Sequence, residues 1–173
     1  MDMAMRSSGI MALTSENNVI GFEVIKTRLE DFPDHEDMII HVVRETIRFI
    51  TEFEGDFFVI EGLAHGAKNA SFDVIAGLFW SIRCAIWKHF IELPIGIVPV
   101  TSWRSKVLNK EDRAYAKENY SPKADVMKIA TVKKLPLELY EWFTAYVECS
   151  GFNKKSIYDL ADAYFLGVYR NSL

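Results

Sequence analysis

Apolar positions lay out the elements of the chain before any other property is considered. Ile10 to Leu13 is a short apolar run behind Ser8-Gly9. Glu16-Asn17-Asn18 then supplies turn chemistry ahead of a second run, Val19 to Thr27. The first third therefore reads as a β-meander. Between Asp34 and Phe53, Met38, Ile39, Val42, Val43, Ile47 and Ile50 recur with a helical period, and Pro33 stands where a helix begins. Asp56 to Ile60 is a short apolar run ending in Glu61, the pattern of a buried strand. Asn69 or Ser71 caps the next helix, which runs to about Phe90 and is nearly buried. Pro94 to Val100 is a second buried strand, and Thr101 opens a short helix through Leu108.

From about Asn109 to Leu135 the pattern weakens and the composition turns polar and basic, which predicts a mobile excursion or a loosely packed helix. Leu137 to Cys149 and Ser156 to Tyr169 read as helices. The order is three strands, a helix, a strand, a helix, a strand and then C-terminal helices. It implies an α/β fold with a mixed five-stranded sheet and helices on both faces. No repeat, low-complexity tract or linker divides residues 1–173, so a single domain is expected.

Composition narrows the class. The 173 residues are enough for one domain with a sizeable core. No apolar run approaches the roughly 18 residues that cross a bilayer. The start, MDMAMRSSGIMAL, lacks the charged and long apolar regions of a secretory signal. Cys84 and Cys149 have no zinc spacing and read as buried thiols of a reducing compartment, the cytoplasm.

The net charge of −4 does not advertise a nucleic-acid binder, but its distribution is uneven. Residues 1–60 carry −7 and residues 61–173 carry +3. Within 104–134 nine basic residues (Arg104, Lys106, Lys110, Arg113, Lys117, Lys123, Lys128, Lys133 and Lys134) face four acids. Such a segment is compatible with phosphate contact, and equally with a solvated face.

Four acids stand out from their apolar surroundings. Asp2 precedes Ser7-Ser8-Gly9, read as a turn whose hydroxyls either contact a phosphate or do nothing more than turn. Glu61 closes a strand. Asp159 and Asp162 share one face of the last helix through their spacing of three. Taken singly, each has a plain reading: a terminal residue, a strand end at the solvent boundary, a surface stripe paired with Lys154 or Lys155. Clustered, they would repel one another and resist desolvation unless neutralised. Hard divalent cations, Mg²⁺ or Mn²⁺, suit an all-oxygen set, and a pair of them can activate water against a phosphodiester.

Set in order, these features resemble the RuvC family of Holliday-junction resolvases. Phe58-Val59-Ile60-Glu61 followed by Ala67-Lys68-Asn69-Ala70-Ser71 is similar to that family's strand and helix around its glutamate. Val98 to Lys106 is similar to the strand and short basic helix that follow. Asp159-Leu160-Ala161-Asp162-Ala163 resembles the closing motif. The likeness runs in order along nearly the whole chain. It implies a ribonuclease-H-like fold and a homodimer that cuts symmetric strands of a four-way DNA junction. It also implies two divalent ions held by Asp2, Glu61, Asp159 and Asp162, and ligatable 5′-phosphate and 3′-hydroxyl ends. Lys68, Asn69, Arg104, Lys106, Lys110 and Lys117 are the expected DNA contacts, reading branched shape rather than base edges.

Three departures qualify the resemblance. Asp2 lies almost at the start, whereas the family has several strand residues ahead of the equivalent acid. A truncated or misassigned start would account for this, and Asp2 is the least secure ligand. The family's aromatic wedge has no counterpart in Gly62-Leu63-Ala64-His65-Gly66, and residues 109–135 match only loosely. The divergence points to a phage-type member. His65, beside Gly62 and Gly66, reads as an ordinary loop residue or as a contact to DNA or a phosphate, and His35, His41 and His89 lack metal spacing. Trp80, Trp87 and Trp103 read as core or dimer interface, with Trp103 alone beside a basic residue, Arg104, where nucleic acid could be touched. The alternatives are a nuclease for flaps, forks or RNA–DNA hybrids, and a junction-binding protein without catalysis. The chain is too short for a two-lobed sugar-kinase fold.

Overall fold

The computed structural model describes residues 1–4, 6–63, 72–121 and 125–173. Its strands are β1 (Ser7–Leu13), β2 (Val19–Lys26), β3 (Phe58–Glu61) and β4 (Ile95–Val98). β1 and β2 pair antiparallel, from Ser7 opposite Lys26 to Leu13 opposite Val19, with a bulge between Ala12 and Leu13. The hairpin closes through Thr14 and Asn18, with Asn17 in the left-handed region that asparagine tolerates. β3 and β4 pair in parallel, Phe58 opposite Ile95. The expected meander is therefore a hairpin, and Ser7-Ser8-Gly9 is the start of β1 rather than a turn.

Residues Met1 and Asp2 lie between the two pairs. The Met1 ammonium donates to the Val59 carbonyl at 2.7 Å, and the Glu61 N–H donates to the Met1 carbonyl at 3.1 Å. These are the bonds of a residue paired in parallel with Ile60. On the other side Asp2 and Gly9 exchange both backbone bonds, at 2.9 and 3.0 Å. The described residues thus form two two-stranded sheets, not the expected five-stranded one. Two residues supply the link where a full strand was expected, too few to count as one.

Seven α-helices complete the described residues: α1 (His35–Phe53), α2 (Phe72–His89), α3 (Val100–Val107), α4 (Lys110–Asn119), α5 (Val126–Val132), α6 (Leu137–Cys149) and α7 (Ser156–Asn171). Asp34 caps α1 by accepting from the Asp37 N–H at 2.8 Å. The 109–135 stretch, expected to be loose, holds α4 and α5. Its signal was local: Asn109 and Asp112 form a capping box, each side chain bonding the other's backbone N–H. Asn69 and Ser71, the proposed caps of α2, lie outside the described residues.

Alternation along the strands explains the layers. Ile10, Ile25 and Ile60 face one core with Phe49 and Ile50 of α1 and Leu78, Ile82 and Ile86 of α2. Their neighbours Met11, Val24 and Val59 face a second core with Trp103, Phe143 and Leu160. Helices therefore cover both faces, as the apolar pattern predicts. Cys84 and Cys149, expected to be buried, are exposed on the solvent sides of α2 and α6. Trp80 and Trp87 are also exposed and do not belong to either core. Among the described residues no helix is long and apolar enough to cross a membrane.

Candidate active site

The site is assembled by a close approach of helix to strand. A Cβ added at Gly9 would lie 2.1 Å from the Asp159 carbonyl oxygen, so only glycine lets α7 rest this near β1. That contact brings Asp159 and Asp162 to the strand end where Asp2 pairs with Gly9. Glu61, at the last residue of β3, enters from the other side through its backbone bond to Met1. Asp2, Asp159 and Asp162 are buried, at 5%, 7% and 1% exposure, and Glu61 is half-buried. The structure thus brings Asp2 within electrostatic reach of Glu61, Asp159 and Asp162.

Three of the four acids have a neighbour that orients them. Arg104 Nη2 donates to Asp162 Oδ2 at 2.6 Å, and Lys128 Nζ to Asp159 Oδ1 at 3.3 Å. The Ser7 hydroxyl donates to Asp159 Oδ2 and itself accepts from Lys26 Nζ at 3.2 Å. Trp103 Nε1 donates to Glu61 Oε1 at 2.9 Å. Trp103 is wholly buried, with the Arg104 guanidinium 4.8 Å from its ring centre, so it fixes Glu61 and offers no surface to nucleic acid. Lys155, offered as a partner for the α7 acids, pairs instead with Asp125 at 2.6 Å.

The electrostatics are those of a site short of positive charge. Burial first, and then the charges of Glu61 and Asp159, push the Asp2 pKa up to about 8 against the pull of Lys128. Burial, then the charge of Asp2, raises Asp162 to about 7 although Arg104 and Lys128 oppose it. Burial works against the Lys128 ammonium, yet Asp2, Asp159 and Asp162 together hold its pKa above the usual value. Arg104 and Lys128 bond two of the four carboxylates directly, and Lys26 acts on Asp159 from behind Ser7.

The donor chemistry fits hard divalent cations. Asp2 Oδ2 and Asp162 Oδ1 are buried and lack any hydrogen-bond partner. Orphaned carboxylate oxygens are costly, and oxygen-seeking Mg²⁺ or Mn²⁺ would relieve that cost. Among the described residues, no three acid, histidine or cysteine side chains are close enough to enclose an ion as they stand.

Of the expected DNA contacts, Arg104 is half-buried against Asp162, while Lys106, Lys110 and Lys117 are exposed on α3 and α4. Lys68 and Asn69 lie outside the described residues, as does His65. Sequence reasoning counted Lys128 in the basic segment but gave it no place at the acids. It passed over Lys26 and gave Trp103 no bond to Glu61. Lys128 sits on α5, a helix too short for its period to be read. Lys26, the last residue of β2, lies opposite Ser7 in the hairpin register, a signal available once that register is known.

No family model and no curated protein matches the sequence. Solved structures match the fold. RuvC of T. thermophilus in complex with a Holliday junction substrate aligns with a TM-score of 0.59 at 9% identity, over 97% of this chain and 89% of that one. A second structure of Thermus thermophilus RuvC aligns with a TM-score of 0.50 at 13% identity, over 85% and 93%. Identities this low speak for architecture alone. The chain has the mixed α/β fold of RuvC.

Proposed function

We propose that this protein is a structure-selective endonuclease that resolves four-way DNA junctions by metal-dependent phosphodiester hydrolysis. The observation that carries the reading is the meeting of Asp2, Glu61, Asp159 and Asp162 at one strand end, with two buried oxygens left unpartnered. The fold adds support, since one neighbour of that fold is a RuvC bound to a Holliday junction.

In this reading Asp2, Glu61, Asp159 and Asp162 would hold two divalent ions, which would supply an activated water and offset charge on the scissile phosphate. Ser7 and Trp103 keep Asp159 and Glu61 from rotating away. Lys128 and Arg104, already beside the acids, present positive charge to a phosphate oxygen entering the site. Exposed Lys106, Lys110 and Lys117 hold the backbone farther out. A homodimer would supply two such sites for symmetric cuts. Exposed Trp80, Trp87 and Ile91 on and just beyond α2 are the apolar surface that supports pairing with a second copy.

The test is cleavage of a labelled synthetic four-way junction, with duplex and flap controls, in Mg²⁺, Mn²⁺ and EDTA. Paired, ligatable nicks confined to the junction and abolished by EDTA are expected. Equal cutting of flaps would keep the chemistry and move the substrate to branched DNA in general. Tight junction binding without cutting in either metal would overturn the enzymatic reading.

A further inference from the structure

Pairing in the hairpin sets Ser7 opposite Lys26, two places along from the pair Gly9 and Val24. Side chains directly opposite share a face of the sheet, and a step of two keeps that face. It is the face on which α7 rests, since Gly9 meets the Asp159 backbone and Val24 packs in one core with Leu160. Ser7 and Lys26 therefore end the strand pair against the first turn of α7. There Ser156 and Asp159, three residues apart, stand side by side. Lys26 Nζ bonds the Ser156 hydroxyl at 2.5 Å and the Ser7 hydroxyl at 3.2 Å, and lies 5.2 Å from the ring centre of Phe152. Both hydroxyls belong to buried residues.

Chemistry fixes the direction of these bonds. An ammonium has three protons and no lone pair, so it can only donate, whereas a hydroxyl has a single proton to place. With Lys26 donating to it, the Ser7 hydroxyl has its proton left for Asp159 Oδ2. That carboxylate is thereby held at one oxygen from the β1 side, while Oδ1 faces Lys128 at 3.3 Å. Lys26 is half-buried, and among the described residues its side-chain hydrogen bonds go to the two hydroxyls rather than to a carboxylate. Burial lowers its pKa against the pull of Asp159, and Arg28 adds to the lowering. Holding a cation here without a bonded counter-charge costs stability that a lysine reaching into solvent would keep.

We propose that Lys26 is a positioning residue of the acidic site, acting through the Ser7 hydroxyl to turn and hold the Asp159 carboxylate, with Ser156 anchoring the ammonium. The role rests on the reading of these acids as cation ligands: with Oδ2 held by Ser7, Asp159 presents Oδ1 to an entering ion. A ligand already turned the right way loses less freedom when the ion binds, and such outer partners change metal affinity about ten- to a hundredfold. Lys128 and Arg104 touch the carboxylate oxygens themselves, whereas Lys26 stands one hydroxyl removed. Its charge therefore polarises the Ser7 hydroxyl without taking a ligand oxygen for itself.

Lys26→Met, which keeps the apolar stem and removes the ammonium, is compared with Ser7→Ala, the double variant and the native chain. One readout is Mn²⁺ titration followed by electron paramagnetic resonance. The other is the Asp159 carboxyl carbon signal in NMR of the metal-free protein, at one fixed pH. Each single variant is expected to weaken Mn²⁺ binding about tenfold, and the double variant no further, because the two groups act in series. The Asp159 signal should move in the same sense in both single variants. Native affinity in Lys26→Met, or losses that add in the double variant, would overturn the proposal. So would an Asp159 signal that moves in Ser7→Ala and stays in place in Lys26→Met, whatever the metal result. A native chain that binds no Mn²⁺, with the signal moving in both, would instead overturn the metal reading while the coupling of Lys26 to Asp159 stands.

Discussion

The four acids stand on two very different foundations. Asp159 and Asp162 belong to α7, whose buried face runs from Ser156 to Leu166 and whose backbone lies against Gly9. Ser7, Lys128 and Arg104 fix their carboxylates. Asp2, by contrast, is placed through backbone bonds only, its own two to Gly9 and those of Met1 to Val59 and Glu61. Helix packing backs one wall of the site, while the other rests on a two-residue segment held by backbone bonds alone. A site that binds ions through both walls is limited by the weaker, so the identity of a ligand and the firmness of its support are separate questions.

The largest effect should come from removing a ligand on the firm side. Asp162→Asn is expected to lower junction cleavage at least about a hundredfold, more than the loss of a supporting group would cost, with junction binding nearly unchanged. Gel-shift and cleavage assays on the same preparation separate the two, and normal cutting would show that the acids are not the site. Asp2→Asn should match it despite the thinner support, because chemistry needs the oxygen wherever it is held.

The next effect probes the packing that makes the firm wall firm. Gly9→Ala places a methyl 2.1 Å from the Asp159 carbonyl and must push α7 off β1. A loss of about 2–3 kcal/mol in urea unfolding is expected. Full stability in this variant would contradict the contact on which the firm wall rests.

A smaller effect is the pH dependence of the metal-free protein. Asp2 at about 8 and Asp162 at about 7 both lie above their unfolded value of 3.8. Their contribution to stability is complete below pH ~4 and is lost as pH rises through those folded values. The buried Met1 amine, its pKa lowered to about 5, opposes the two acids over the same window. Melting temperature should therefore fall by only about 5 °C between pH 5 and 8, and Asp2→Asn should flatten or reverse the fall. A flat profile in both proteins would mean that the acids are already neutralised. Smallest of all, Lys106→Ala and Lys110→Ala should each weaken junction binding a few-fold and reduce the salt slope by about 1. Unchanged slopes would remove α3 and α4 from the DNA path.

What the sequence made legible follows from how local each signal is. Asp159 and Asp162 were readable because a spacing of three fixes one helix face and the residues around them are apolar. Glu61 was readable as an acid closing a buried strand. The apolar run Leu137 to Cys149 became α6 without change. The roles of Ser7 and Lys128 were not readable, because they arise from contacts across 152 and 31 residues of chain. Trp103 misled for a related reason: its neighbour Arg104 reads as a surface residue, yet α3 turns the indole into the core against Glu61. The five-stranded sheet failed where the pattern had least to work with, at Met1 and Asp2, whose pairing is defined only by partners elsewhere.

The account turns on whether the four carboxylates hold ions together, and direct titration with Mn²⁺, following free ion by electron paramagnetic resonance, tests this without DNA. The native sequence is expected to bind a pair of ions at neutral pH, and Asp162→Asn and Asp2→Asn each to lose at least one of them. Identical binding by all three proteins, or none by the native sequence, would contradict the site.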